Sequence, residues 1–259
     1  MVKCTVNRKN LLKLINSMGS NIGDLCLRIT GDKEAPTLSA SIGYYTHYLR
    51  LTTPCTADAK GAFSISDVNT KISFLRTGKE DTVILLQDGM SKMLYVTCGK
   101  SKIHLPGAGN VSSNSLVSSI EKLLQETKNN LWTKWANRPL TCSATIDKSS
   151  LDEVVAIHTV LGENPLYTAD FYTGNSEMIV KAGKKSKGRM FAVVSLENVK
   201  GLEKKTSSTY GANFPINLKS LPSGKLAVYM GDDAPMIITH EGSDACLIVF
   251  DCDYEEGWE

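Results

Sequence analysis

The side chains that could do chemistry are few and scattered. The four histidines are His47, His104, His158 and His240. Each stands alone in a strand-like run or on an apolar helix face, where a structural role is the plainer reading. Seven cysteines (Cys4, Cys26, Cys55, Cys98, Cys142, Cys246, Cys252) show no C-x-x-C spacing, so they do not read as a metal site. Most lie in apolar strand-like runs, where cysteine behaves as a small core hydrophobe. Gly99-Lys100-Ser101 has the ending of a phosphate-binding loop, but Leu94 stands where the earlier glycine belongs, and a strand follows instead of a helix. Neither G-x-S-x-G nor H-E-x-x-H occurs, and no carboxylate pair shares a helix face. The expectation is a protein that is not an enzyme and uses no cofactor or metal.

Cations offer a different chemistry, attraction to phosphate. Lys9 and Lys13 stand four residues apart in RKNLLKLINSMG, so they share one face of a helix. The densest basic run is Lys184-Lys185-Ser186-Lys187-Gly188-Arg189. Most charged faces and loops are simply solvated, and the net charge of +2 favours no partner class.

These residues must be positioned by a chain of 259 residues, 42% hydrophobic and 22% charged, long enough for one large or two small domains. The N-terminus lacks the apolar core of a signal peptide, and no apolar run reaches membrane-spanning length. With seven scattered cysteines this predicts an intracellular setting and no membrane partner.

Two stretches carry the same plan. Residues 82–105 and 225–250 each read as three short strands separated by Gly, Asp and Ser turns. Before the first lie a strand at 2–6, a helix with Leu11, Leu12, Ile15 and Met18 on one face, strands at 25–30, 38–42, 48–52 and 62–66, and a second helix, VNTKISFLRTG. Before the second lie a strand at 140–146, a helix opened by the Ser150-x-x-Glu153 capping box, and strands at 167–172, 178–181 and 189–194. Residues 213–218 read as a strand or its approach, and 217–220 allow about one helical turn. Between the halves, Leu116, Ile120, Leu123, Leu124 and Leu131 predict a helix of about four turns, stopped by Pro139. The organisation is α+β in two similar domains, 1–107 and 140–259, joined by a connector at 108–139.

This duplicated plan resembles the DNA sliding clamps, the processivity factors of replicative polymerases. The most specific phrases are Gly231-Asp232-Asp233-Ala234-Pro235-Met236-Ile237-Ile238 and the closing strand at 247–250. The resemblance implies domains with two helices packed on antiparallel sheets, and six domains closing a ring around duplex DNA. Two domains per chain imply a homotrimer, as in the clamps of eukaryotes, archaea and large DNA phages. The helical connector, the acids Asp152 and Glu153 and the short last helix depart from the pattern and fit a divergent, viral member.

By the resemblance, Lys9, Lys13, Lys71, Arg76, Lys79, Lys148 and Lys219 would line the hole and hold double-stranded DNA without reading its bases. Ile42, Tyr48, Leu116, Pro235 and Phe250 would line a pocket for short peptides of the DNA polymerase and the clamp loader. The strands at 92–98 and 102–105 would meet 178–181 and its neighbours of the next subunit. The acidic tail, 251–259, reads as a solvated end. Two alternatives stand beside this reading: a processivity or checkpoint relative acting as a monomer, dimer or hetero-ring, and an α+β enzyme whose site the motifs do not reveal.

Overall fold

Asn7 ends the first strand and starts the first helix. In the computed structural model, its side chain accepts the Asn10 amide at 3.2 Å, capping a free donor of the first turn. The structure describes residues 1–252 except 20–23, 33, 67, 69–72, 88–92, 106–111, 162–164, 185–187 and 202–204. Contacts divide the chain into two units, Met1–Gly43 with Arg50–Ser118, and Tyr44–Leu49 with Ser119–Glu259. The stretch expected as a separate connector is shared between them.

In the first unit, β1 (Val2–Asn7) leads into α1 (Arg8–Asn16). Leu11, Leu14, Ile15 and Met18 are its buried stripe, at the i, i+3, i+4, i+7 spacing of one helix face. Leu12, expected in that stripe, is only half-buried. There follow β2 (Asp24–Asp32), β3 (Ala35–Gly43), β4 (His47–Ala57), β5 (Ala62–Ser66), α2 (Phe74–Thr77), β6 (Thr82–Gln87), β7 (Leu94–Cys98) and β8 (Ser101–Leu105). The first residues of β4, 47–49, group with the second unit. The strands pair in the order β8-β7-β6-β1-β4-β3-β2-β5. Gly99 and Lys100 form the two-residue turn of the β7–β8 hairpin, Cys98 opposite Ser101, with Gly99 at φ 58°. That left-handed turn is why a glycine stands there.

The connecting helix is α3 (Ser112–Asn129), longer than the four turns expected. It ends before Leu131, which the apolar spacing placed inside it. Leu131 and Trp132 take φ 55° and 60°, and a small hairpin follows, β9 (Lys134–Trp135) and β10 (Arg138–Pro139).

The second unit repeats the opening with β11 (Cys142–Asp147), a 3-10 turn (Lys148–Leu151) and α4 (Asp152–Leu161). Then come β12 (Tyr167–Tyr172), β13 (Glu177–Lys184), β14 (Gly188–Ser195), β15 (Glu197–Gly201), β16 (Lys205–Tyr210), α5 (Asn213–Leu218), β17 (Lys225–Met230), β18 (Met236–His240) and β19 (Cys246–Val249). One sheet runs β15-β11-β17-β18-β19 and the other β14-β13-β12-β16. Between them lies a core of Phe171, Val180, Val194, Tyr210, Leu226, Val228 and Ile238, each at most 1% exposed. The architecture is α+β, with few helices on mostly antiparallel sheets.

Two expectations fail here. Residues 213–218 form a helix, not a strand: Phe214, Leu218 and the side chain of Asn217 turn inward, and Pro215 sits in the first turn, where its missing N–H costs nothing. The strands β15 and β16 were not anticipated. The inward residues of β16 are Thr206, Ser208 and Tyr210, so the strand lacks apolar alternation. Its hydroxyls are satisfied instead: Ser208 donates to the Gly231 carbonyl and Tyr210 to the Ala234 carbonyl.

Candidate nucleic-acid and partner interfaces

Helix α1 exposes Lys9, Lys13 and Asn16 along one face and contains no acid. Arg8, its third cation, does another job. Its Nε donates to the Glu80 carbonyl at 2.7 Å and its Nη1 to the Leu75 carbonyl at 3.0 Å. Arg8 thereby ties α1 to the end of α2, satisfying a carbonyl the helix leaves free. Arg76 and Lys79, at and just after α2, are exposed. The two helices pack on each other, and among the described residues Lys9, Lys13, Arg76 and Lys79 stand exposed on or just after them. Lys71 lies outside the described residues.

The second unit is different. The ammonium of Lys148 meets the Asp152 carboxylate at 3.3 Å, and the Lys148 side chain is only 12% exposed. It is therefore spoken for, not held out toward phosphate. Helix α4 bears Asp152 and Glu153 in its first turn and no Lys or Arg. Helix α5 is uncharged, exposing Ile216, and Lys219 just after it is exposed. Burial lowers the His158 imidazole, and nearby Lys219 lowers it further, so the neutral ring shares a 2.9 Å hydrogen bond with the Tyr167 hydroxyl. The basic loop's Lys185 and Lys187 are outside the described residues.

The anticipated pocket residues are more enclosed than expected. Ile42 and Leu116 belong to the first unit, where Ile42 is 3% exposed and part of the β3 core. Tyr48, Pro235 and Phe250 belong to the second. Tyr48 has no exposed surface, because α3 lies over it and Glu121 accepts its hydroxyl at 3.0 Å. Pro235 is buried, and Phe250 is half-buried against Trp135, ring centroids 6.3 Å apart. Spacing did not point to Trp135, since its role rests on the hairpin fold. A concavity of about 220 Å³ in the first unit, lined by Ile29, Pro36, Ala57 and Lys60 among others, contains none of the five.

Of the strands expected at a subunit interface, 102–105 lie in the edge strand β8. The residues 178–181 lie in β13, an interior strand, and 94–98 in β7, also interior. Edge strands include β8 and β5 in the first unit and β14, β16 and β15 in the second. Phe191 and Val193 project from β14 at 69% and 44% exposure. On β7 and β8, the Tyr95 ring meets His104 edge-on, and Lys102 lies 4.9 Å above its centre.

Several other titratable groups are held locally. Asp170, 1% exposed, is raised by burial, but hydrogen bonds from Lys181, Ser207 and Lys205 outweigh this and hold its carboxyl below the usual range. Burial lowers His47 to about 4. His240 contacts the Ser243 hydroxyl and the Ser223 carbonyl. Burial pushes the Cys4 thiol up, and Cys55 beside it adds to this. Among the described residues, no three His, Cys, Asp or Glu converge as metal ligands.

No protein-family model and no curated protein matches this sequence. Solved structures do. The PCNA of Thermococcus kodakaraensis is 14% identical with a TM-score of 0.65, the match covering 97% of this chain and 100% of that one. The PCNA of A. fulgidus, solved with the C-terminal region of FEN-1, is 13% identical at a TM-score of 0.63, covering 99% and 100%. The DNA polymerase III beta subunit of Thermotoga maritima is 11% identical at a TM-score of 0.71. That match covers 98% of this chain but only 66% of the bacterial one. The chain has the sliding-clamp fold.

Proposed function

We propose that this chain is a DNA sliding clamp that closes as a homotrimeric ring around duplex DNA and tethers a replicative polymerase. The observation that carries the reading is the end-to-end likeness to two-domain clamps, against two thirds of a bacterial subunit. A chain of this length supplies two domains, so three copies supply six. The exposed edges β8 and β14 suit head-to-tail pairing between copies, which removes unpaired backbone groups and covers Phe191 and Val193.

DNA contact in this reading is carried mainly by the first unit, through Lys9, Lys13, Arg76 and Lys79. A ring holds DNA by topology, so a few sequence-independent phosphate contacts suffice. The protein acts by shape and not by catalysis, inside the cell where replication occurs. Partners arrive as short peptides from the polymerase and a clamp loader. The A. fulgidus clamp, solved with a FEN-1 segment, supports this mode of recognition.

The reading is tested on linear duplex DNA whose ends are blocked by bound streptavidin after the protein has threaded on. A ring stays through a high-salt wash and leaves when the DNA is cut. Loss in the wash, before cutting, contradicts encirclement.

A further inference from the structure

Residues 131–139 fold back onto the closing strands of the second unit through three side chains. Trp132 stacks on Tyr229, with ring centroids 4.4 Å apart and planes 14° apart. Trp135, 6% exposed, sets its ring against Phe250. Arg138 donates to the Asp251 carboxylate and to the Asp233 carbonyl. These acceptors flank Pro235 and Phe250, two of the residues assigned to the peptide pocket.

The hairpin is poorly supported by itself. Its ladder has two residue pairs, Arg138 with Trp135 and Pro139 with Lys134. A two-stranded hairpin of that size is not stable alone in water. Leu131, Trp132 and Ala136 all hold left-handed backbone (φ 55°, 60° and 49°), a region that non-glycine residues enter at a cost. What keeps the segment in place is its packing on the closing strands. Leu131 itself, 85% exposed, contributes nothing to that hold.

We propose that the hairpin is an intramolecular occupant of the peptide site, and that the site accepts a segment bearing an aromatic residue and, three residues later, a basic one. This rests on the reading that partner peptides dock beside the closing strand. Trp135 supplies the aromatic and Arg138 the cation. Phe250 offers the apolar seat, and Asp251 with the Asp233 carbonyl the anionic one. A partner segment of the same kind displaces the hairpin, and the left-handed residues relax as it leaves. Binding is therefore an exchange of one aromatic–basic segment for another, which keeps an apolar surface covered until a partner arrives.

A dye-labelled synthetic peptide of residues 131–140 tests this by fluorescence anisotropy with the full chain. Three forms are compared: wild type, Arg138→Ala, and Arg138→Ala combined with Trp135→Ala. The vacated double variant should bind the peptide about tenfold more tightly than wild type, with the single variant between them. A peptide carrying Arg138→Glu should lose about tenfold on the double variant. Equal binding by all forms, no binding at all, or indifference to the peptide's charge overturns the proposal. Circular dichroism melting checks folding. If the double variant does not fold, wild type against Arg138→Ala decides, because the Arg138 side chain is half exposed and its removal leaves the core intact. The readout uses neither DNA nor the ring, so its failure and failure of the clamp reading are distinguishable.

Discussion

The Tyr48 hydroxyl donates to the Glu121 carboxylate at 3.0 Å, from a ring with no exposed surface. Tyr48 stands on β4 and Glu121 on α3, 73 residues apart in sequence. The connector is therefore a helix, as its apolar spacing predicts, pinned to the strand beneath it.

Replacing Tyr48 with Phe keeps the ring and removes the bond. The chain should lose about 2 kcal/mol of stability, the net worth of one hydrogen bond to a charged carboxylate. Urea denaturation checks this. A loss well above it would mean that α3 detaches when the bond goes.

Lys9→Ala with Lys13→Ala should leave the melting temperature unchanged, since both side chains are exposed and α1 keeps its buried stripe. DNA binding should weaken. The slope of log affinity against log salt should flatten by about 0.9 for each phosphate no longer neutralised. Lys148→Ala should do less, because that ammonium already faces Asp152. Equal effects from the two sets would contradict the concentration of DNA binding in the first unit.

Acid should destabilise the fold in two stages. His47 titrates at about 4 when folded against 6.5 when free, so between these values the unfolded chain binds more protons and acid favours unfolding. Its contribution is present above pH 6.5 and is lost as pH falls to 4, on the order of 3 kcal/mol in all. His158 shifts in the same direction and adds to this stage. Asp170, lowered in the fold, contributes above its free value of 3.8 and is lost as pH falls below it. Denaturation across pH should show the first slope shrink in His47→Gln and the second in Asp170→Asn.

Local rules made part of this legible. The strand Ala62–Ser66 was bounded correctly because alternation between Gly61 and Asp67 is a complete local signal. The first helix was clear from its spacing and its Asn7 cap. What failed was decided at long range. Nothing near Arg8 reveals that its partners are the carbonyls of Leu75 and Glu80. Leu131 continues the apolar spacing of α3, yet the chain turns left-handed there and Trp132 goes on to stack on Tyr229. The strand β16 buries hydroxyls whose partners lie far along the chain, such as the Gly231 carbonyl for Ser208, so apolar alternation misses it. Tyr48 is assigned by its position in the resemblance, and Phe250 lies in a clamp-like phrase. Their enclosure by Glu121 and Trp135 depends on a connector whose path the sequence does not state.

The ring is the central claim, and mass in solution tests it most directly. Light scattering over a range of concentrations should give a particle near three times the 28.2 kDa chain. A particle of 28.2 kDa at every concentration would contradict the account.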